Sequence, residues 1–131
     1  MDISKEKRVR DVMTRGVITV SLDTPVSEIV KRLVREDISG VAVTVPNGKV
    51  VGIISEIDII KAFDKDWDNT KAEDVMSTFV RTVDPETTIR KAASFMRDLN
   101  IHRLLILSLS PAPGVPIGIL TASNILRASV E

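Results

Sequence analysis

The sequence predicts an α/β protein of the α+β kind, built from two related repeats that are each a small mixed sheet with helices packed on it. Three observations predict this fold class. The heptad GIISEID at residues 52–58 returns as GILTASN at 118–124. The stretch DVMTRGVITV at 11–20 returns as DVMSTFVRTV at 74–83. Both copies alternate β-branched runs with apolar residues at helical spacing, which indicates strands alternating with helices.

The alignment of the two copies sets the domain organisation. The offset is 63 residues through Ile38 and Ile101 and 66 residues at Gly52 and Gly118, so the second copy has three more residues in a hairpin loop. We place repeat 1 at about 8–63, a linker at 64–70 and repeat 2 at about 71–128, within a single module spanning 1–131. One copy of about sixty residues buries little surface alone. We therefore expect the copies to pack face to face about a pseudo-twofold axis.

The elements of the first copy follow from local signals. VITV at 17–20 is β-branched and predicts a strand, and Thr24-Pro25 predicts a helix N-cap followed by proline at the first helical position. Asn47-Gly48 predicts a two-residue hairpin turn between GVAVTV and KVVGII. Ser55 begins the last predicted helix, which includes Phe63. The apolar stripe of the first helix comprises Val26, Ile29, Val30, Leu33 and Val34.

The second copy repeats this plan. It predicts a strand at 80–83, strands at RLLIL and PIGIL, and a last helix from Thr121. The stripe of its first helix comprises Ile89, Ala92, Ala93 and Met96.

Composition excludes several functions. Lysine plus arginine equals aspartate plus glutamate, at 18 each, which argues against a general nucleic-acid binder. No apolar run approaches a membrane span, and the N-terminus MDISKEKRVRDVM has no signal core, so we expect no membrane association and no export. The absence of cysteine is compatible with a cytoplasmic protein. His102 is the one histidine and no Walker-type glycine loop is present, so we expect neither catalysis, a metal site nor a required cofactor.

The repeated heptad has two interpretations. In the first, Ser55 and Asp58 form a capping box at a helix start, and Gly52 is a close-packing strand residue. In the second, the helix start binds a phosphate, Asp58 accepts hydrogen bonds from the diol of a ribose, and Gly52 lets a flat base approach the backbone. A phosphate and a ribose about one helical turn apart describe a nucleotide.

These motifs resemble those of the cystathionine-β-synthase-type (CBS) domain family. The resemblance lies in the paired DVM…TV, the strand starts at 38–41 and 101–104, and the doubled G-h-h-[ST]-x-x-[DN], where h is an apolar residue, and it covers about 8–128. It implies a tandem CBS pair, or Bateman module, that regulates a partner. It also implies AMP, ADP, ATP or S-adenosylmethionine as the ligand, in two clefts that each join the helix start of one repeat to the opening segment and strand start of the other.

The resemblance assigns residues to both clefts. Cleft A would comprise Gly52, Ile53, Ser55, Asp58, Ser77, Thr78, Phe79, Val80, Ile101, His102 and Arg103. Cleft B would comprise Thr14, Val17, Ile18, Ile38, Ser39, Gly40, Gly118, Thr121 and Asn124.

The two clefts differ in charge. Cleft A has a carboxylate for the ribose, and His102 and Arg103 as phosphate donors. Cleft B departs from the family pattern with Asn124, and with Ser39-Gly40 in place of His-Arg. We therefore expect cleft B to bind more weakly, to stay empty or to take a ligand without phosphate.

Several alternatives stay open. His102 and Arg103 are also compatible with structural roles, as a helix cap and an ion-pair partner. The stretch DKDWDN at 64–69 hints at a calcium loop but lacks the glycine and glutamate of that motif, so an acidic linker with Trp67 packed on the module is the simpler interpretation. The chain is also compatible with a structural dimerisation module with vestigial clefts, or with a nucleotide-hydrolysing enzyme.

We expect a disc-shaped homodimer, because Ile57, Ile59, Ile60 and Phe63 provide more apolar surface than one sheet face needs.

Overall fold

The computed structural model describes residues 7–78, 80–109 and 113–130. These residues form two compact units by their contacts: unit 1 is Met1–Gly16 with Arg81–Glu131, and unit 2 is Val17–Val80. The elements are α1 (Val9–Val12), β1 (Thr14–Arg15), β2 (Thr19–Val20), α2 (Val26–Arg35), β3 (Gly40–Thr44), β4 (Val50–Ser55), α3 (Glu56–Lys61), α4 (Ala72–Val75), β5 (Thr82–Val83), α5 (Ile89–Leu99), β6 (Arg103–Leu107), β7 (Pro116–Thr121) and α6 (Ala122–Val130).

Unit 2 contains a three-stranded sheet in the order β2-β3-β4. β2 runs parallel to β3, and α2 forms the crossover between them, whereas β3 and β4 form an antiparallel hairpin. Side chains from the strands and from α2, α3 and α4 build one apolar core. Its buried members are Val20, Val26, Ile29, Leu33, Val41, Val43, Ile54, Ile59 and Ala72.

Unit 1 repeats this plan with a four-stranded sheet in the order β1-β7-β6-β5. β5 runs parallel to β6, α5 forms the crossover, and β6 and β7 form an antiparallel hairpin. The unit has its own core, whose buried members are Val9, Met13, Val83, Ala92, Met96, Leu104, Ile106 and Leu120. Two small mixed sheets covered by helices confirm the predicted fold class.

The opening segment of each repeat completes the unit formed by the rest of the other repeat. In unit 1, β1 pairs antiparallel with β7, with Thr14 opposite Ile119. In unit 2, the second opening segment makes the equivalent contact, because Ser77 and Ile53 exchange both backbone hydrogen bonds at 2.9 Å. The compact units therefore cut across the two sequence repeats.

Three local expectations are wrong: the start of α2, the loop between β3 and β4, and the end of α3. Val26 is the first residue of α2 and Pro25 its cap, because the Thr24 hydroxyl accepts the N–H of Ser21 instead of a helix N–H. The Ser21 hydroxyl donates to Asp23 and so lowers the pKa of that carboxyl.

The hairpin between β3 and β4 and the end of α3 also differ from the predictions. The Val45 N–H bonds to the Lys49 carbonyl and the Val45 carbonyl accepts from Gly48, so the loop has three residues, Pro46 to Gly48. Gly48 takes the positive φ of +88° that such loops need. α3 ends at Lys61, so Phe63 follows the helix.

The linker packs on unit 2 as predicted. Trp67 is partly buried against the core and donates its indole N–H to the carbonyl of Ala62 at 2.9 Å. Its ring meets Phe63 edge-on at 5.8 Å. The Asp66 carboxylate accepts bonds from the Asp68 N–H and the Asn69 amide, so it closes the loop itself.

Across the described residues, none of the helices is long and apolar enough to cross a membrane.

Two glycines permit the contacts of the opening segments. A Cβ on Gly118 would lie 2.7 Å from the Thr14 carbonyl oxygen, and a Cβ on Gly52 would lie 2.5 Å from Met76 Sδ and 3.1 Å from the Ser77 carbonyl oxygen. All three distances are shorter than ordinary van der Waals contact. The close-packing interpretation of Gly52 therefore accounts for its identity.

Gly118→Ala should destabilise the protein more than Gly52→Ala, because its Cβ meets a backbone carbonyl whereas the Cβ at Gly52 mainly meets a flexible side chain. We expect about 1–3 kcal/mol for Gly118→Ala from urea unfolding. Adding Met76→Ala to Gly52→Ala should recover part of the smaller loss caused by that glycine substitution. Equal losses for the two single variants would show that these contacts do not decide the packing.

Candidate functional site

The helix start after β4 is organised around one carboxylate oxygen. Asp58 Oδ2 accepts the backbone N–H of Ser55 at 2.9 Å and the hydroxyl of Ser55 at 3.0 Å. The two residues form the predicted capping box at the start of α3, in a partly buried position. No hydrogen bond to Asp58 Oδ1 comes from the described residues. One carboxylate oxygen therefore serves the cap, and the other keeps its acceptor capacity.

The helix start after β7 makes the corresponding bond from the backbone N–H of its cap residue, with an amide in place of the carboxylate. Asn124 Oδ1 accepts the backbone N–H of Thr121 at 2.9 Å, and the Asn124 N–H donates to the Thr121 hydroxyl at 3.1 Å. The bond from the cap residue has the same length as its counterpart at Ser55. An amide oxygen therefore suffices for this cap, and the negative charge of Asp58 is not needed to form it.

Each helix start lies beside a strand start of its own unit. In unit 2, Gly40 pairs with Ser55, and the Ser39 carbonyl accepts the Glu56 N–H at 3.3 Å. These contacts bring Ser39 and Gly40 to the helix start that holds Asp58.

In unit 1, Arg103 pairs with Thr121, and the His102 carbonyl accepts the Ala122 N–H at 2.9 Å. His102 itself is exposed and Arg103 is partly buried. The His-Arg pair therefore lies next to Asn124, in the unit that does not contain Asp58.

The predicted site residues divide between the units. The part of cleft A in unit 2 is brought together by the bridge from Ser77 to Ile53 and by the contact of Gly52 with Met76 and Ser77. Thr78 and Val80 follow in the same unit, and Phe79 lies outside the described residues. Ile101, His102 and Arg103 belong to unit 1.

The cleft B residues are divided in the same way. Thr14, Gly118, Thr121 and Asn124 belong to unit 1, where Gly118 contacts Thr14. Those in unit 2 are Val17, Ile18, Ile38, Ser39 and Gly40. Among them, the Ile18 carbonyl oxygen accepts the Ala42 N–H at 3.0 Å, which fixes the segment before β2 on the sheet.

No group of three or more histidine, cysteine, aspartate or glutamate side chains able to hold a metal occurs within residues 7–78, 80–109 and 113–130. The Asp66 hydrogen bonds account for the DKDWDN stretch as a closed polar loop.

The structure also contains a cavity that the sequence did not predict. It has a volume of about 240 Å³ and is lined by residues of α1, the segment before it and α6, namely Lys7, Asp11, Val12, Asn124, Arg127 and Ala128. All six belong to unit 1. The repeat alignment could have drawn attention to it, because Lys7 aligns with the neutral Thr70 while Arg127 aligns with another cation, Lys61. Unit 1 therefore has one cation more than unit 2 at these two positions.

Comparison with known families agrees with the duplicated architecture. The family model for the CBS domain matches residues 9–65 and again residues 72–131. The chain belongs to the CBS domain family and contains two copies of the domain, a CBS pair.

Curated relatives contain this module as one part. An uncharacterized protein of Methanocaldococcus jannaschii is 32% identical over 126 residues, which are 95% of this chain and 29% of the relative. The inosine-5'-monophosphate dehydrogenase of Korarchaeum cryptofilum is 36% identical over 91% of this chain and 24% of the enzyme. The chain thus spans less than a third of these two relatives.

Solved structures share the fold over nearly the whole chain. The structure of CBSX2 in complex with AMP has a TM-score of 0.81 at 24% identity, covering 95% of this chain and 96% of that one. The CBS domain pair of protein MJ0100, in complex with 5'-methylthioadenosine and S-adenosyl-L-methionine, has a TM-score of 0.78 at 25% identity, covering 92% and 94%.

Asp58→Asn should leave the capping bond to Ser55 intact, as Asn124 does for Thr121. It should lose only the favourable interaction of the charge with the helix N-terminus, about 0.3–1 kcal/mol. Asp58→Ala should lose the capping bonds as well, for a total of about 1–2 kcal/mol. Urea unfolding of the three proteins measures these differences. If Asp58→Asn were as destabilising as Asp58→Ala, the fold itself would require the charge.

Proposed function

We propose that this CBS pair is a regulatory module that binds an adenosine nucleotide of the AMP, ADP or ATP class and signals to a partner protein. One observation carries the proposal: Asp58 and Asn124 form the same capping bond, and only Asp58 brings a charge that the cap does not use. A carboxylate held at a helix start suits a ligand with a pair of hydroxyl donors.

The chemistry of the Asp58 carboxylate fits the diol of a ribose. Oδ2 is held by Ser55, which fixes the orientation of the group. Oδ1 can accept bonds from the 2'- and 3'-hydroxyls, and hydrogen bonds to a charged group contribute about 1.5–3 kcal/mol against about 1 kcal/mol for neutral ones. The ligand's ribose is therefore the part that we assign to Asp58.

The comparisons support an adenosine compound as the ligand. AMP, 5'-methylthioadenosine and S-adenosyl-L-methionine, the compounds in the two similar structures, share an adenosine moiety with its ribose. The diol interaction does not distinguish them, so S-adenosylmethionine is the alternative ligand.

For the full sites we propose clefts A and B as defined above. Phosphate contact by His102 and Arg103 in cleft A stays a prediction, as do the weaker cleft B and the cytoplasmic location.

We propose a non-catalytic role. The alignment with the dehydrogenase covers only 24% of that enzyme, so its activity is not carried over to this chain. The alternative to a nucleotide-binding module is a structural dimerisation module whose clefts no longer bind ligand. It predicts no binding in a nucleotide titration.

Calorimetric titration with AMP, ADP, ATP and S-adenosylmethionine tests the proposal directly. We expect saturable binding of at least one of them to the folded protein. Absence of binding for all four, with circular dichroism showing a folded protein, would favour the structural module. Nucleotide turnover in the same samples would contradict the non-catalytic role.

Asp58→Asn should weaken AMP binding by about tenfold, because charge-assisted bonds to the ribose become neutral ones. The matched control is 2',3'-dideoxyadenosine monophosphate, which lacks the diol and should bind wild type and variant equally. Calorimetry measures the four affinities. An equal loss for the dideoxy compound would show that Asp58 acts through the structure of the site and not through the ribose.

We also propose that a second copy of this chain covers the exposed apolar residues of α3 and α6, together with Phe63, which follows α3. In unit 2, Ile57, Ile60 and Phe63 are 57%, 60% and 64% exposed, and in unit 1 Leu126 and Val130 are exposed as well. Exposed apolar patches of this kind mark interaction surfaces. The homodimer and a separate effector protein both stay predictions.

The double variant Ile57→Glu, Ile60→Glu should be monomeric by light scattering at a concentration where wild type is dimeric, because burying two carboxylates in an apolar interface is unfavourable. Lys65→Glu, which lies outside α3, is the control and should stay dimeric. A monomeric wild type at micromolar concentration would contradict the homodimer.

A further inference from the structure

The cavity in unit 1 collects hydrogen-bond donors at one place. Lys7 and Arg127 line it from the segment before α1 and from α6, and Asn124 lines it from the first turn of α6. Neither Lys7 nor Arg127 forms an ion pair with any described residue. Since Asn124 Oδ1 accepts the Thr121 N–H, the Asn124 amide nitrogen is the atom with donor capacity left.

One acidic side chain also lines the cavity. Asp11 Oδ2 accepts the N–H of Arg8 at 2.9 Å, and Asp11 Oδ1 lies 3.9 Å from Arg10 Nε. Its charge is therefore partly balanced outside the cavity. Two cations and one carboxylate leave the lining with one net positive charge.

The four aligned positions of unit 2 have, taken together, the opposite net charge. Lys7 aligns with Thr70, Asp11 with Asp74, Asn124 with Asp58 and Arg127 with Lys61. Unit 2 therefore has two carboxylates and one cation where unit 1 has one carboxylate and two cations. The duplication supplies an internal comparison, because the two places share backbone geometry: the bridge of Arg8 to Thr88 corresponds to that of Lys71 to Pro25.

We infer that the unit 1 cavity is a binding site for a phosphate-bearing anion, with Lys7, Arg127 and the Asn124 amide as its donors. The guanidinium group of arginine and the ammonium group of lysine both bind phosphate. The cavity volume of about 240 Å³ lies below the range of about 300–1,000 Å³ for drug-sized ligands, so it suits a small ion or one end of a larger ligand. Because Asn124 also belongs to cleft B, a nucleotide bound there is one possible source of the phosphate and free phosphate is the other.

Titration of ¹⁵N-labelled protein with inorganic phosphate at constant ionic strength tests the site. We expect saturable amide shifts in α1 and at the start of α6, and no comparable shifts at Asp58 and Asp74. Arg127→Gln and Lys7→Gln should each weaken phosphate binding at least about tenfold. Both side chains are exposed, so the variants should fold, and unchanged spectra elsewhere would verify this.

Lys61→Gln is the matched control, since it removes the aligned cation of unit 2 and should leave phosphate binding unchanged. Non-saturating shifts, equal shifts in both units, or full binding by Arg127→Gln would overturn the inference. Phosphate binding does not depend on the nucleotide proposal, so the two can fail separately.

A second arm with AMP and adenosine identifies the source. If Arg127→Gln weakens AMP and leaves adenosine unaffected, the cavity holds the nucleotide's phosphate. If AMP binding is unaffected while inorganic phosphate still requires Arg127, the cavity is a separate anion site. Both results support the anion site, and loss of AMP and adenosine binding to the same extent, with inorganic phosphate binding unaffected by Arg127→Gln, would contradict it.

Discussion

The close approach of each opening segment to a glycine in the last strand of a hairpin is the contact on which both units depend. A Cβ on Gly118 would lie 2.7 Å from the Thr14 carbonyl oxygen, and a Cβ on Gly52 would lie 2.5 Å from Met76 Sδ and 3.1 Å from the Ser77 carbonyl oxygen. These contacts fix the opening segments on the sheets, and the same segments contribute Val9 and Ala72 to the two cores. They also position the segments that flank the helix starts, so the packing constraint and the candidate sites share the same strands.

The duplication makes the functional argument possible because it separates what the fold requires from what it does not. Both copies need an acceptor for the N–H of the cap residue, and Asp58 and Asn124 supply it equally well. The charge differs between the copies at this position and also where Lys7 aligns with Thr70. Differences that the backbone does not need are the natural candidates for ligand recognition, namely the Asp58 carboxylate in unit 2 and the Lys7 cation in unit 1.

Much of the fold could be predicted from the sequence because its signals are local and occur twice. The repeat, the hairpins, the helix stripes and the capping box all depend on residues within a few positions of one another. The unit that each opening segment joins was not predictable in this way, since DVM occurs identically in both copies and the choice depends on tertiary packing. Thr24 was misplaced because its hydroxyl accepts the Ser21 N–H, and the Asn47-Gly48 turn was misplaced because Val45 bonds to Gly48 and Lys49 and so closes a three-residue loop. The cavity depends on Lys7 and Arg127, which are distant in sequence, and no local pattern links them.

The crystal structure of a complex with AMP tests the central claim most directly, because it shows which atoms contact the ribose. We expect the ribose hydroxyls to lie within hydrogen-bond distance of Asp58 Oδ1 while Oδ2 keeps its bonds to Ser55. A ribose bound elsewhere, with Asp58 contacting only Ser55, would contradict the claim that the charge of Asp58 serves the ligand.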